Sequence, residues 1–271
     1  MIQIEKNNGI ATLKLNRPDK HNAFDDAMIE QMTDAFVDID GDQSIRLMVL
    51  SANGKHFSAG ADLAWMKRMA NYSYEDNLSD AHGLAAMLNT LNTLSKPSIA
   101  RVQGAAFGGA VGLVSCCDIA IGSHDSFFCL SEVKIGITPA TISPYVLAAI
   151  GERAARRYFV SAEVFDATRA QELGLLSEVV NSDMLDDTVD KTSAKILQNS
   201  PAAVAASKRL IKDFAGKTID AELINQSSER IAEIRVSKEG QEGLSAFLDK
   251  RPPSWLKITD HNDEEDSGNV Q

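Results

Sequence analysis

The sequence has few cysteines and no long apolar segment. Its 271 residues include three cysteines, and two of them, Cys116 and Cys117, are adjacent. Such a set does not indicate a framework of disulfides. The longest apolar run, residues 105–117, contains glycines and a serine and is too short to span a bilayer. The N-terminus has neither the basic start nor the apolar core of a signal peptide. We therefore expect a protein of the reducing cytoplasm, without a membrane partner.

Basic residues are also scarce relative to acidic ones. The chain has 27 Lys and Arg against 38 Asp and Glu, a net charge of −11. Five of the acids and no Lys or Arg lie in residues 259–271, so the rest of the chain carries −6. Proteins that bind nucleic acids use clustered Lys and Arg to neutralise phosphates. We therefore predict no nucleic-acid partner, and a disordered acidic tail over residues 258–271.

The segment that organises the chain is residues 101–140. It begins within an apolar run, residues 98–102, that has the length of a buried strand, and three glycines follow at Gly104, Gly108 and Gly109. The small residues 109–117 then predict a buried helix. N–H groups at the start of a helix have no internal partner, so they suit an anion or a carbonyl oxygen that becomes one. On spacing alone, a packing role fits these glycines equally well.

Two nucleotide-binding motifs are excluded, and one acid stands out. Ala106 occupies the middle position of a Gly-x-Gly-x-x-Gly pattern, and no Gly-Lys-Ser/Thr follows. Glu132 lies in the apolar segment 127–133, where desolvation would raise the pKa of its carboxyl toward neutrality. Glu132 is therefore a candidate acid/base. The alternative is a structural acid paired with Lys134 or Arg156.

The remaining pattern predicts an α/β protein with a helical C-terminal region. Strands are predicted at residues 2–5, 10–15, 45–50, 98–102 and 175–180, the first two as a hairpin. Helices are predicted at residues 26–38, 62–69, 77–94, 109–117, 143–150, 153–160, 164–173, 184–198, 201–214, 218–235 and 238–248. Because two loops follow the C-terminal ends of strands, we expect the binding crevice at those ends.

Two blocks of sequence carry a specific resemblance. The first is GAAFGGAVGL at residues 104–113, followed by Cys117-Asp118-Ile119-Ala120, Glu132 and Pro139; the second is FSAGADL at residues 57–63. With Asn16-Arg17-Pro18 they resemble the enoyl-CoA hydratase/isomerase (crotonase) superfamily over residues 1–257. The resemblance implies a crotonase-like spiral of ββα units in residues 1–200. It also implies a helical trimerisation region in residues 201–257, and thus a homotrimer or a dimer of trimers.

The resemblance also implies roles for individual residues. The backbone amides of Ala61 and Gly109 would stabilise the enolate of an acyl-CoA thioester, Glu132 would be the acid/base, and the amide of Ala140 would help to hold water. Coenzyme A would enter as part of the substrate, with no tightly bound cofactor and no metal. Its contacts would be Lys20, Ala23, Ala59, Asp62 and Leu63, with Phe247 and Lys250 reaching it from a neighbouring subunit.

One position departs from the family pattern. Many hydratases of this family have a second glutamate where this chain has Gly112. A single glutamate is also the isomerase arrangement, so Δ3,Δ2-enoyl-CoA isomerisation is the alternative to hydration. Residues 132–146 and 150–158 look like those of bacterial methylglutaconyl-CoA hydratases of leucine and isovalerate breakdown, whose substrate has its own carboxylate. Cations that could meet this carboxylate are Lys67, Arg68 and Arg153. An RNA-binding protein on this fold is the third alternative, disfavoured by the acidic charge.

Overall fold

The computed structural model describes residues 1–256 of the chain, which fall into two compact units. The first unit is residues 1–193, so it ends before the boundary that we predicted after residue 200. The second unit begins at Ala194. The predicted acidic tail lies outside the described residues. Within residues 1–256, no helix combines the length and the apolar character needed to cross a membrane.

Nine strands and ten α-helices make up the described chain. The strands are β1 (Ile2–Asn7), β2 (Ile10–Leu15), β3 (Leu47–Ala52), β4 (Ser98–Val102), β5 (Ala105–Phe107), β6 (Ile119–Ser123), β7 (Phe127–Cys129), β8 (Phe165–Asp166) and β9 (Glu178–Val180). The helices are α1 (Asp26–Gly41), α2 (Leu63–Met69), α3 (Tyr74–Asn92), α4 (Gly109–Cys116), α5 (Ser143–Ser161), α6 (Ala167–Glu172), α7 (Leu185–Leu197), α8 (Pro201–Phe214), α9 (Ala221–Val236) and α10 (Lys238–Leu248).

A six-stranded sheet forms the base of the first unit, in the order β1-β2-β3-β4-β6-β9. The hairpin of β1 and β2 is confirmed: its two-residue turn has positive φ at Asn8 and Gly9 (47° and 78°), as a tight hairpin turn requires. From β2 to β9 the pairs are parallel. Every residue of β3 is buried, as expected for a strand inside a parallel sheet with both faces covered.

The sequence did not predict the second sheet, in which β7 pairs with β5 in parallel and with β8 in antiparallel orientation. The prediction of a helix over residues 164–173 is wrong at its start, because Phe165 pairs with Phe128 in this sheet. The helix there, α6, begins at Ala167, with Asp166 as its N-cap. These strands are three residues long or shorter. Their pairing is tertiary, so no local periodicity reveals them.

Helices cover the large sheet, and local sequence explains their ends. Asp25 caps α1 by accepting a hydrogen bond from the N–H of Met28, which explains why this helix begins at Asp26. The small, almost wholly buried helix α4 packs against α3 and α5. The helix α5 is interrupted at Gly151, whose φ of 74° and ψ of 161° are not helical, so the predicted break there is confirmed.

The second unit is helical, as predicted. The bounds of α8 and α10 agree with the predicted residues 201–214 and 238–248. The carboxylate of Glu239 accepts hydrogen bonds from the Ser200 hydroxyl (2.6 Å) and from the Ala202 N–H (3.0 Å), which ties α10 to the start of α8. Several large apolar side chains of this unit are exposed, namely Ile211, Ile219, Val236, Phe247 and Leu248.

Candidate active site

The two glycine turns singled out in the sequence lie against each other. Residues 57–58 run alongside β5: the Ser58 N–H donates to Ala105 O, and the Phe107 N–H donates to Ser58 O, both at 3.0 Å. At Gly60, φ is +87°, and a Cβ there would lie 2.7 Å from the Phe107 carbonyl oxygen. Only glycine allows this approach. The fold therefore brings the turn before Ala61 into contact with the turn before Gly109.

Both predicted donor amides lack an acceptor in the part of the protein that the structure describes. In residues 1–256, neither the N–H of Ala61 nor that of Gly109 donates a hydrogen bond to protein. Gly109 is the first residue of α4, and Gly108 before it has a positive φ of 53°. The two N–H groups are thus available to a carbonyl oxygen placed between them.

Glu132 lies beside the second of these turns. It follows β7 and starts a short 3₁₀ helix, Glu132–Ile135. A Cβ on Gly108 would be 3.1 Å from Glu132 Oε1, so the carboxyl lies against the backbone of the Gly108–Gly109 turn. Its Oε2 atom is buried without a hydrogen-bond partner among the described residues. Burial raises the pKa of the Glu132 carboxyl.

The structural alternative for Glu132 is excluded in the described chain. Arg156 pairs with Glu152, at 2.5 Å. The Nζ atom of Lys134 lies 4.0 Å from Cys129 Sγ and makes no salt bridge to Glu132. A buried carboxyl oxygen without a hydrogen-bond partner, such as Oε2 of Glu132, is costly to keep, and such groups concentrate at functional sites.

Gly112 has no space for a second carboxylate. It is buried in α4, and a Cβ there would lie 2.5 Å from Ile142 Cγ2 and 3.4 Å from Leu88 Cδ2. Apolar side chains therefore fill the region that a glutamate at this position would need. Of the two carboxylates of the two-acid family pattern, only the one at Glu132 is present.

Asp62 and Lys20 form an ion pair beside the first turn. The Asp62 carboxylate caps α2 by accepting from the Ala64 N–H (2.7 Å). It also pairs with Arg17 at 2.9 Å and with Lys20 at 3.3 Å. Burial tends to raise the pKa of Asp62, but the hydrogen bonds from Ala64 and Lys20 outweigh it and lower the pKa. The Lys20 side chain is 49% exposed, which leaves its ammonium accessible to a phosphate.

The other predicted contact residues are placed as follows. Ala59 is exposed, and its N–H donates to His21 O at 2.9 Å. Leu63 is the first residue of α2 and is 75% exposed. Ala23 is buried, and its carbonyl accepts a hydrogen bond from Arg17. The Ala140 N–H donates to Thr138 O at 2.8 Å, so a water at this amide would have to share the donor.

Phe247 and Lys250 belong to the second unit. Phe247 lies at the end of α10 and is 81% exposed, and Lys250, just beyond α10, has a φ of 53°. Their predicted contact with coenzyme A stays a prediction.

Sequence reasoning missed the polar residues that hold the first turn in place. Asn22 is buried, and its Nδ2 donates to Asn53 O (2.8 Å) and His56 O (2.9 Å), while its Oδ1 accepts from the Arg17 N–H. Ser58 donates to Asn22 O and accepts from the Gly60 N–H at 3.1 Å. The only sequence signal for them was position: Ser58 lies in the FSAGADL block, and Asn22 lies a few residues after Asn16-Arg17-Pro18.

Comparison with known proteins agrees with this geometry. The sequence profile of the enoyl-CoA hydratase/isomerase family matches residues 5–257. The chain belongs to this family. It is therefore an enzyme of the hydro-lyase type, and the family implies an acyl-CoA thioester as its substrate.

Relatives and a solved structure cover nearly the whole chain. A crotonyl-CoA hydratase of Syntrophomonas wolfei is 30% identical over 94% of this chain and 97% of its own length. A 2,3-dehydroadipyl-CoA hydratase of Escherichia coli is 29% identical over 93% of this chain and 97% of its own length. An enoyl-CoA hydratase from Shewanella pealeana, known from its crystal structure, is 48% identical in sequence. The match covers 94% of this chain and 95% of that chain, with a TM-score of 0.91. The predicted crotonase-like α/β fold is confirmed.

Proposed function

We propose that the enzyme adds water to a branched, carboxylated enoyl-CoA, with 3-methylglutaconyl-CoA of leucine and isovalerate breakdown as the substrate. The observation that carries the proposal is the Glu132 carboxyl beside the Gly108–Gly109 turn, whose buried Oε2 has no partner among the described residues, with no second acid at Gly112. In the two-acid pattern of the family, two carboxylates share the handling of water and the proton. Here Glu132 is the only one at these positions, so a substrate that brings its own carboxylate fits this site.

The chemistry follows from the two amides and the one acid. The thioester carbonyl oxygen would accept hydrogen bonds from the N–H groups of Ala61 and Gly109, which stabilise negative charge on it. Glu132, ionised, would take a proton from water as the water oxygen bonds to the β-carbon. The resulting enolate would then take that proton from Glu132 at its α-carbon. The net change is the addition of one water, and Glu132 returns to its starting state.

A carboxylated substrate has support from one relative, and two of the three cations proposed to meet its carboxylate have no ion pair among the described residues. Dehydroadipyl-CoA, the substrate named for the Escherichia coli relative, carries a terminal carboxylate. Of the three cations proposed to meet such a group, Arg68 is paired with Asp26 at 2.5 Å. Lys67 and Arg153 are exposed and have no side-chain partner in the described chain. Arg153 and Lys67 are therefore the better candidates.

We also propose how coenzyme A is held. Lys20 would exchange part of its ion pair with Asp62 for a phosphate, and the backbone of residues 59–63 would contact adenine and pantetheine. Phe247 and Lys250 would reach the coenzyme of a neighbouring subunit in a trimer or a dimer of trimers. The exposed apolar side chains of the second unit, among them Phe247 and Leu248 at the end of α10, are compatible with such an assembly. A cytoplasmic location stays a prediction.

Isomerisation of a Δ3-enoyl-CoA is the second candidate, and it depends on the same single base. Both functions are tested by incubating the enzyme with 3-methylglutaconyl-CoA, crotonyl-CoA and a Δ3-enoyl-CoA and measuring product mass. We expect a gain of one water, fastest with 3-methylglutaconyl-CoA. Migration of the double bond without a mass change would contradict hydration. Equal rates with crotonyl-CoA would contradict a role for the substrate carboxylate.

A further inference from the structure

Phe24 contacts both turns of the candidate site. It immediately precedes Asp25, the N-cap of α1, and it is 1% exposed. Its backbone brackets Ala61: the Phe24 N–H donates to Gly60 O, and the Asp62 N–H donates to Phe24 O, each at 2.9 Å. The two segments form a parallel bridge at this point. The peptide units on either side of Ala61 are thus fixed by one residue.

The ring of Phe24 reaches the other turn. A Cβ on Gly109 would lie 2.7 Å from Phe24 Cζ and 3.3 Å from Cε2, so the para end of the ring lies against the Gly109 Cα. The same residue therefore holds one donor turn by its backbone and contacts the other through its ring.

We infer that Phe24 is a positioning residue that sets the spacing between the N–H groups of Ala61 and Gly109. The inference rests on the proposed function, in which both amides bind one thioester oxygen. Two donors stabilise an oxyanion only if both reach hydrogen-bond distance of the same atom, and a displacement of about 1 Å can cost ~100-fold in rate. The length of the Phe24 side chain decides how far the Gly109 amide lies from that of Ala61.

Two substitutions of Phe24 move Gly109 in opposite ways. Phe24→Leu removes the para end of the ring and withdraws support from Gly109. Phe24→Tyr keeps the ring and adds a hydroxyl that points at the Gly109 Cα. We expect each to lower kcat by roughly 10-fold or more, with KM for the CoA ester changed less than threefold, because remote CoA contacts are untouched.

The matched control is Phe36→Leu, which shortens an equally buried phenylalanine of α1 outside both turns. It should lower Tm about as much as Phe24→Leu and leave kcat within about twofold of wild type. If Phe36→Leu lowers kcat as strongly as Phe24→Leu, or if both Phe24 variants keep wild-type kcat, the inference is wrong.

A binding measurement separates this inference from the proposed function. A β-aryl enoyl-CoA absorbs at longer wavelength when hydrogen bonds polarise its carbonyl. We expect a red shift on binding to wild type and to Phe36→Leu, and a smaller one with both Phe24 variants at saturation. No shift and no turnover with wild type would contradict the proposed function itself. A full shift with saturated Phe24 variants would contradict only the role of Phe24.

The contact can also be tested directly by a double-mutant cycle. Gly109→Ala keeps the N–H donor but places a methyl group against the Phe24 ring. Because Phe24→Leu removes the atoms that this methyl would meet, the combined loss of kcat should be at least ~3-fold smaller than the product of the two single losses. Independent, multiplicative losses would overturn the inference.

Discussion

Ile142 fills the space that a side chain at Gly112 would need. Its Cγ2 atom would lie 2.5 Å from a Cβ at residue 112, and Leu88 closes the other side. Both apolar side chains are almost fully buried. The absence of a second glutamate is therefore built into the packing between α3, α4 and α5. Restoring that glutamate by one substitution, which the sequence alone suggests as a gain of hydration, conflicts with the structure.

Gly112→Glu should destabilise the protein and give no gain in hydration of crotonyl-CoA. The new side chain would overpack a filled region and bury a carboxylate there, for a loss of roughly 3 kcal/mol or more in the free energy of unfolding. Urea unfolding and the crotonyl-CoA assay measure both effects. Gly83→Ala is the control, because Gly83 lies in α3 with open space around it, and alanine favours a helix. A stable Gly112→Glu enzyme with faster hydration would contradict this account.

Local features of the fold could be predicted from the sequence. The Asn8-Gly9 turn and the cap at Asp62 depend on a few neighbouring residues, and the structure has both. The second sheet could not be predicted in this way. The pairing of Phe165 with Phe128 joins segments far apart in sequence, and it overrides the helical pattern of residues 164–173.

The residues of the candidate site likewise differ in whether the sequence could reveal them. Glu132, Ala61 and Gly109 were found from motifs, since the chemistry needs those groups at defined places in the chain. Phe24 was not, because an apolar residue before a helix cap is ordinary in sequence and acquires its role only through contacts with two distant turns. Likewise, sequence showed that Gly112 lacks a carboxylate, but only packing shows that Ile142 excludes one.

Ala61→Pro should abolish most of the turnover while the fold persists. Proline has no N–H, so the substitution deletes one donor to the thioester oxygen. We expect kcat to fall by ~100-fold or more. This variant is a cleaner test than Gly109→Pro, in which the proline ring would also meet Phe24. Ala61→Gly keeps the N–H and should retain kcat within a few-fold. Steady-state kinetics measure kcat for both variants. If folded Ala61→Pro keeps a kcat near that of wild type, the Ala61 N–H is not a donor to the thioester oxygen.

Arg17→Gln should lower stability through Asp62. Arg17 and Asp62 are both largely buried, and the guanidinium also donates to Ala23 O at 2.9 Å. Because Lys20 would still pair with Asp62, we expect a loss of about 2–3 kcal/mol, below the full cost of breaking a buried pair. The control is Lys14→Gln, which breaks a more exposed pair with Glu5 and should cost less than about 1 kcal/mol. Equal losses in urea unfolding would show that Arg17 acts as a surface residue.

Lys250→Ala and Lys20→Ala should each raise KM for the CoA ester. A contact to a remote phosphate binds substrate and transition state alike, so kcat should change little. Lys217→Ala, at an exposed lysine after α8, is the control and should leave KM unchanged. If sedimentation shows an active monomer, the role of Lys250 in a neighbouring site is wrong, whereas that of Lys20 is unaffected.

Glu132→Gln should lower kcat by ~100-fold or more with little change in KM, because it keeps the size of the side chain and removes proton transfer. In wild type, hydration requires the ionised carboxylate. Burial raises the pKa of Glu132. In a plot of kcat against pH, the rate should therefore fall on the acid side with an apparent pKa above that of an ordinary glutamate. Glu152→Gln, at an exposed carboxylate of α5, should alter neither kcat nor this apparent pKa.

The same substitution should stabilise the protein, and by an amount that depends on pH. Folding disfavours the ionised form of Glu132, because its pKa is raised above the value of 4.5 expected for the unfolded chain. Below that value both states are protonated, so wild type carries no ionisation penalty. The penalty appears as pH rises and is complete above the folded-state pKa. Glutamine never ionises, so the Tm of Glu132→Gln minus that of wild type should increase from about pH 4 to about pH 8. A difference that is flat or falls across this range would show that the carboxyl is solvated, and the case for Glu132 as a buried base would then fail.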